Sequence, residues 1–93
     1  RRVFQALRIE VNNEFASLDQ FLRNLPNIMR TSGKAAVLTF HSGEDRRVKK
    51  AFQAFHRSGV FYDVAREVIR PSPSEVYSNP RASSAKLRWA IKA

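Results

Sequence analysis

The side chains best suited to chemistry in this sequence are cations. Arg46, Arg47, Lys49 and Lys50 crowd little more than one helical turn, and Arg81, Lys86, Arg88 and Lys92 lie in a stretch from Val76 onward that holds no acid. Guanidinium and ammonium groups clustered in this way suit phosphate oxygens, which supply affinity and little sequence choice. Arg46, Arg47, Lys49, Lys50, Arg81, Lys86 and Arg88 are therefore the backbone-contact candidates for a nucleic acid; a solvated helix face is the alternative reading of the same cations. His41 and Ser42 follow a short apolar run and would stand at the carboxyl end of a strand, where α/β folds bind ligands. His41 there can touch a base drawn out of its stack or its phosphate, or serve only as a turn residue. Ser42 with Asp45 three residues on has capping-box spacing. Glu44 and Asp45, adjacent in a first helical turn, suit the helix dipole rather than acid–base catalysis.

Composition narrows the classes. Seventeen Lys and Arg against eight Asp and Glu give a net charge of +9, which favours a polyanionic partner. The chain contains no cysteine and two histidines, His41 and His56, so neither a disulfide framework nor a convincing metal site is expected. A hydrophobic fraction of 43% is too high for a disordered tail. No apolar run approaches the roughly 18 residues of a membrane span, and no signal-peptide core follows Arg1-Arg2-Val3-Phe4. The length of 93 residues allows one small domain.

The elements that must position these residues follow from periodicity. Phe4, Leu7, Val11, Phe15, Leu18, Leu22, Leu25 and Met29 recur at steps of three or four, so residues 1–31 read as helix. Pro26 should kink it or start a new short helix, Asp19 and Arg23 should pair across one turn, and Gly33 should cap its end. Gln5, Arg8 and Asn12 would share one face of that helix, turned either to a cofactor or target base or to other parts of the protein. Residues 35–41 read as a buried strand, 43–57 as a helix burying Val48, Ala51, Phe52 and Phe55, and 60–69 as a second strand. Residues 74–78 suit a helical turn. Residues 86–92 alternate, with Leu87, Trp89 and Ile91 inward and Lys86, Arg88 and Lys92 outward, so Trp89 reads as core. Helix, strand, helix, strand, strand is an α/β layer.

Three stretches carry a family resemblance. Arg2-Val3-Phe4-Gln5-Ala6-Leu7-Arg8-Ile9-Glu10-Val11-Asn12-Asn13-Glu14-Phe15 is similar to R-x-F-Q-A-L-R-I-x-V-N-x-E-L. Ser32-Gly33-Lys34 through Phe40-His41-Ser42-Gly43-Glu44-Asp45-Arg46, with Val48-Lys49 following, is similar to G-G-R-L-x-V-I-S-F-H-S-L-E-D-R-x-V-K. Pro71-Ser72-Pro73-Ser74-Glu75 and Asn79-Pro80-Arg81-Ala82-Ser83-Ser84-Ala85-Lys86-Leu87-Arg88 are similar to P-S-x-x-E and N-P-R-A-R-S-A-K-L-R. The sequence resembles the C-terminal part of the MraW (RsmH) family, S-adenosylmethionine-dependent methyltransferases of the N4 of a cytosine in small-subunit rRNA. Gly43 stands where the family has leucine, Ser32 where it has glycine and Ser83 where it has arginine.

The resemblance implies a class I, Rossmann-like methyltransferase fold seen from the helix before strand five onward. Residues 35–41 would be strand five, 60–69 strand six, and 86–92 the antiparallel strand seven between them. It implies rRNA of the small ribosomal subunit as partner, with Arg8, Asn12, His41, Ser42, Arg46, Lys49, Arg81, Lys86 and Arg88 on the RNA-facing side. Gly33, Gly43 and Gly59 are isolated, so the glycine-rich cofactor turn has no counterpart. No cofactor-binding or catalytic residue is assigned, and the chain alone is expected to bind no S-adenosylmethionine and to be inactive. With strand four absent, the edge of strand five should be open and should be covered by a protein partner or an N-terminal half. The alternative is a degenerate, non-catalytic remnant serving as a basic RNA-binding component of an organellar ribosome or its assembly pathway. Both readings are intracellular, and a bacterial cytoplasm and an organelle such as a mitochondrion both remain open.

Overall fold

The computed structural model describes the backbone of residues 4–8 and the whole of residues 15–93. The elements are β1 (Phe4–Arg8), α1 (Phe15–Ile28), β2 (Lys34–Thr39), α2 (Ser42–Arg57), β3 (Phe61–Val64), α3 (Pro73–Ser78), the 3₁₀ turn η1 (Pro80–Ser84) and β4 (Lys86–Lys92). One four-stranded sheet has the order β1-β2-β4-β3. β1 and β2 are parallel, with Gln5 beside Ala35 and Arg8 beside Leu38. β4 lies between β2 and β3 and is antiparallel to both.

The first correction concerns residues 1–31, which are not all helix. Phe4–Arg8 is a strand, and the helix begins at Phe15. Ala, Gln, Leu and Arg are good helix formers, and a run this short fits either period. Pairing with β2 decides the outcome, as tertiary contacts routinely override local propensity. The edge of β2, expected to be open, is consequently covered: β1 pairs with it, and among the described residues β1 is the outermost strand on that side. From Phe15 on, the helical stripe behaves as expected, with Leu18, Leu22, Leu25 and Met29 buried. Pro26 is buried inside α1, which continues to Ile28 without a new start. Asp19 does not pair with Arg23; it meets Arg47 of α2.

The left-handed residue after α1 is Ser32, at φ 65°, rather than Gly33. Ser32, which stands where the resembled family pattern has glycine, holds a conformation that L side chains disfavour. Gly33 is needed for a different reason: a Cβ there would lie 2.8 Å from the Arg30 carbonyl oxygen.

α1 and α2 cover one face of the sheet. Leu18, Leu22 and Leu25 of α1 and Val48 and Phe52 of α2 join Ala35, Val37, Phe61, Val64 and Ala90 in a single apolar cluster. The Phe52 and Phe61 rings meet edge-on, 5.5 Å between centroids, a geometry worth about 0.5–1.5 kcal/mol beyond simple burial. Strand six is shorter than 60–69. A register shift between Phe61 and Asp63 lets Phe61 and Val64, three apart, both reach the core, and pairing resumes as one bridge between Ile69 and Leu87.

The last strand is turned over relative to expectation. Ala90 and Arg88 are buried on the helix-covered face, opposite Ala35 and Val37. Leu87, Trp89 and Ile91 are half-buried on the other face, opposite Leu38, Ala36 and Lys34. Alternation fixed which residues share a face but not which face met the helices. A buried arginine was the decisive exception, because Asp45 waits for it at the start of α2.

Candidate nucleic-acid interface

β2 ends at Thr39, and the chain turns through Phe40 and His41 into α2. His41 is the N-cap residue, with extended backbone (φ −126°, ψ 142°) and no side-chain cap bond. The expected capping box is therefore not formed at Ser42. Ser42 is the first helical residue, and Asp45 sends its carboxylate elsewhere: Arg88 Nε donates to Asp45 Oδ1 at 2.7 Å and Nη2 to Oδ2 at 3.1 Å. A capping box forms instead between Ser72 and Glu75 at the start of α3. Glu75 N donates to Ser72 Oγ at 3.2 Å, and Ser72 N donates back to Glu75 Oε1 at 2.9 Å. The Ser72 N–H, followed by its hydroxyl, holds the Glu75 carboxyl below its ordinary value.

The candidate cations separate by what they touch. Arg88 leaves the set, because its side chain is 8% exposed and locked in a bidentate pair with Asp45. Arg47 lies over the Phe15 ring, 4.3 Å from its centroid, and pairs with Asp19. Arg46 and Lys49 remain exposed on the solvent face of α2, as does Lys50. His41 and Ser42 are exposed at the carboxyl end of β2. β4 runs antiparallel and brings half-buried Lys86 opposite Thr39, to that same end of the sheet. β1 is parallel and places Arg8 beside Leu38 in register. Asn12 lies outside the described residues. Thr39 is itself 1% exposed, and its hydroxyl has no hydrogen-bond partner among the described residues.

Beside this end of the sheet α3 and η1 lie over the face that α1 and α2 leave free. They enclose with it a cleft of about 480 Å³. Its floor is Leu38, Leu87 and Ile69, and Glu75, Asn79 and Arg81 line its wall, with Arg70 also reaching it. Arg81 is thus a candidate cation that lines this cleft. Arg70, Glu75 and Asn79 were missed from sequence. The Ser72-Pro73-Ser74-Glu75 spacing announces a capped helix and was the signal that would have placed them.

The three glycines do not form a cofactor turn. Gly33 closes the turn after α1, a Cβ on Gly43 would meet the Phe15 ring at 3.0 Å, and Gly59 is used for its φ of +84°. None opens a cradle for a cofactor. Among the described residues no group of His, Asp and Glu is placed to hold a metal, and no helix is long and apolar enough to cross a membrane.

The family model of the MraW methylase family matches residues 1–93. The chain belongs to the MraW methylase family. It is 57% identical over its full length to ribosomal RNA small subunit methyltransferase H 1 of Lachnoclostridium phytofermentans, covering 25% of that protein. It is 58% identical over its full length to ribosomal RNA small subunit methyltransferase H 2 of Alkaliphilus metalliredigens, covering 27% of it. With ribosomal RNA small subunit methyltransferase H of Elusimicrobium minutum it shares 50% identity over 91 residues, covering 31% of that relative. The chain therefore spans about a quarter to a third of the MraW relatives it matches.

Proposed function

We propose that this chain is the RNA-facing C-terminal portion of a small-subunit rRNA methyltransferase acting on the exocyclic N4 of a cytosine. In this reading β2, β3 and β4 are strands five, six and seven of a class I methyltransferase sheet. In the same reading β1, which pairs parallel with β2, would be strand four. The match of the whole chain to the MraW family carries the reading. S-adenosylmethionine would supply the methyl group from a site built by other parts of the enzyme, and the chain alone would be inactive. Its own residues would bind and orient RNA: Arg46, Lys49, Arg81 and Lys86 against phosphates, with His41 and Ser42 at the mouth where the target base is presented. The relatives reported above are bacterial, which favours a bacterial cytoplasm over the organellar remnant.

The test is a salt series. Each phosphate contact releases condensed counterions, so removing one cation should flatten the log–log salt slope by somewhat less than about one unit. Arg81→Ala with Lys86→Ala should weaken binding to a small-subunit rRNA fragment and flatten the slope accordingly. An unchanged slope would show these cations to be a solvated surface.

A further inference from the structure

The cleft under α3 and η1 has features that a merely basic surface does not need. Its floor is apolar, formed by Leu38, Leu87 and Ile69, and its volume of about 480 Å³ falls within the range of small-ligand sites. Arg70 and Arg81 both line it, both are exposed, and neither has an ion-pair partner among the described residues. The planar guanidinium fork of such arginines can bond two oxygens of one phosphate at once.

The polar wall between them has a fixed pattern. The Glu75 carboxylate accepts from Ser72 N through Oε1 and is held charged by that capping box. Its second oxygen remains an acceptor. Asn79 Oδ1 accepts from Arg81 N at 3.2 Å, which fixes the amide and leaves its NH₂ group to donate. An acceptor beside a donor over an apolar floor suits the hydrogen-bonding edge of a nucleobase with an amino group.

We propose that this cleft binds one nucleotide of single-stranded RNA, with its phosphate held by Arg70 and Arg81 and an amino-bearing base seated between Glu75 and Asn79. This deepens the RNA-facing reading above and rests on it. The nucleotide is a neighbour of the one to be modified, because His41 and Ser42, where the target base is presented in the reading above, do not line this cleft.

The full chain should be titrated with a fluorescein-labelled single-stranded RNA hexamer, with a blunt RNA duplex, with nucleoside 5′-monophosphates and with inorganic phosphate. Ala82, half-buried on the cleft lining, gives a variant that fills the cleft without changing charge. Ala82→Phe should weaken the hexamer about tenfold or more and leave the duplex unchanged; Arg70→Gln with Arg81→Gln, on the exposed surface, should weaken the hexamer to a similar degree. Nucleoside monophosphates should shift the backbone amide resonances of Asn79 and Arg81, and phosphate alone should shift them less. Equal shifts from phosphate and nucleotide would overturn the base-binding assignment. Hexamer binding that ignores both the cleft-filling and the arginine variants but falls with Arg46→Ala and Lys49→Ala would overturn the cleft while keeping the RNA-facing reading. Absence of binding to any RNA would overturn both.

Discussion

The two faces of the sheet are built on different terms. On the face under α1 and α2, almost every side chain is committed, down to an arginine whose charge is neutralised inside the protein. On the other face Leu87, Trp89 and Ile91 are half-buried, Ile69 is 47% exposed, and a short capped helix stands over a cleft. The first face stabilises the domain; the second is left with apolar surface and unpaired cations, the materials of recognition. A substitution should therefore damage folding on one face and binding on the other.

The sharpest way to break that contrast is Asp45→Ala. It leaves Arg88 buried without its counter-charge, which typically costs about 3–5 kcal/mol. Asp19→Ala removes the partner of Arg47, but that pair is 40% and 36% exposed, so the loss should stay below about 1 kcal/mol. Urea denaturation of the two variants compares them directly, and equal losses would mean that Arg88 escapes to water. Next comes Gly43→Leu, which sets a side chain against the Phe15 ring and should cost about 1–3 kcal/mol by overpacking. The family pattern that the sequence resembles has leucine at both positions, so Phe15→Leu added to Gly43→Leu should recover much of the loss. A double-mutant cycle showing simple additivity would contradict this exchange of volume between positions 15 and 43. Smallest is Ile69→Ala on the open face. Its bridge to Leu87 is made by backbone, and stability should change by no more than about 0.5 kcal/mol. A larger loss by thermal unfolding would show that the open face is part of the core.

These contrasts also show what could be read in advance. The stripe Leu18, Leu22, Leu25, Met29 and the apolar side of α2 were legible because helical periodicity over several turns leaves no competing pattern. β4 was legible in its bounds and misread in its orientation, because alternation gives two faces and hydrophobicity suggested the wrong one. What decided it was the Asp45–Arg88 pair, a contact across 43 residues that no local pattern carries. β1 was misread because five residues cannot separate one period from another without knowledge of a neighbouring strand. The same limit hid the cleft: Arg70, Glu75, Asn79 and Arg81 are brought together by the packing of α3 and η1 on the sheet. Of the nine RNA-facing candidates, the structure gathers His41, Ser42, Lys86 and, in backbone register, Arg8 at one end of the sheet. It withdraws Arg88 to the interior, and Arg46 and Lys49 extend outward along α2.

The placement of β4 has a consequence for the order in which the protein is made. β2 and β3 never touch; each pairs with β4, the strand synthesised after both. Until Lys86–Lys92 has left the ribosome, the nascent chain can dock α1 and α2 on β2 but must hold Phe61 and Val64 without a strand beside them. Closure of the sheet is thus a late, long-range event. A pause or truncation during translation of those seven residues would leave two unmatched strand edges rather than a slightly shortened domain.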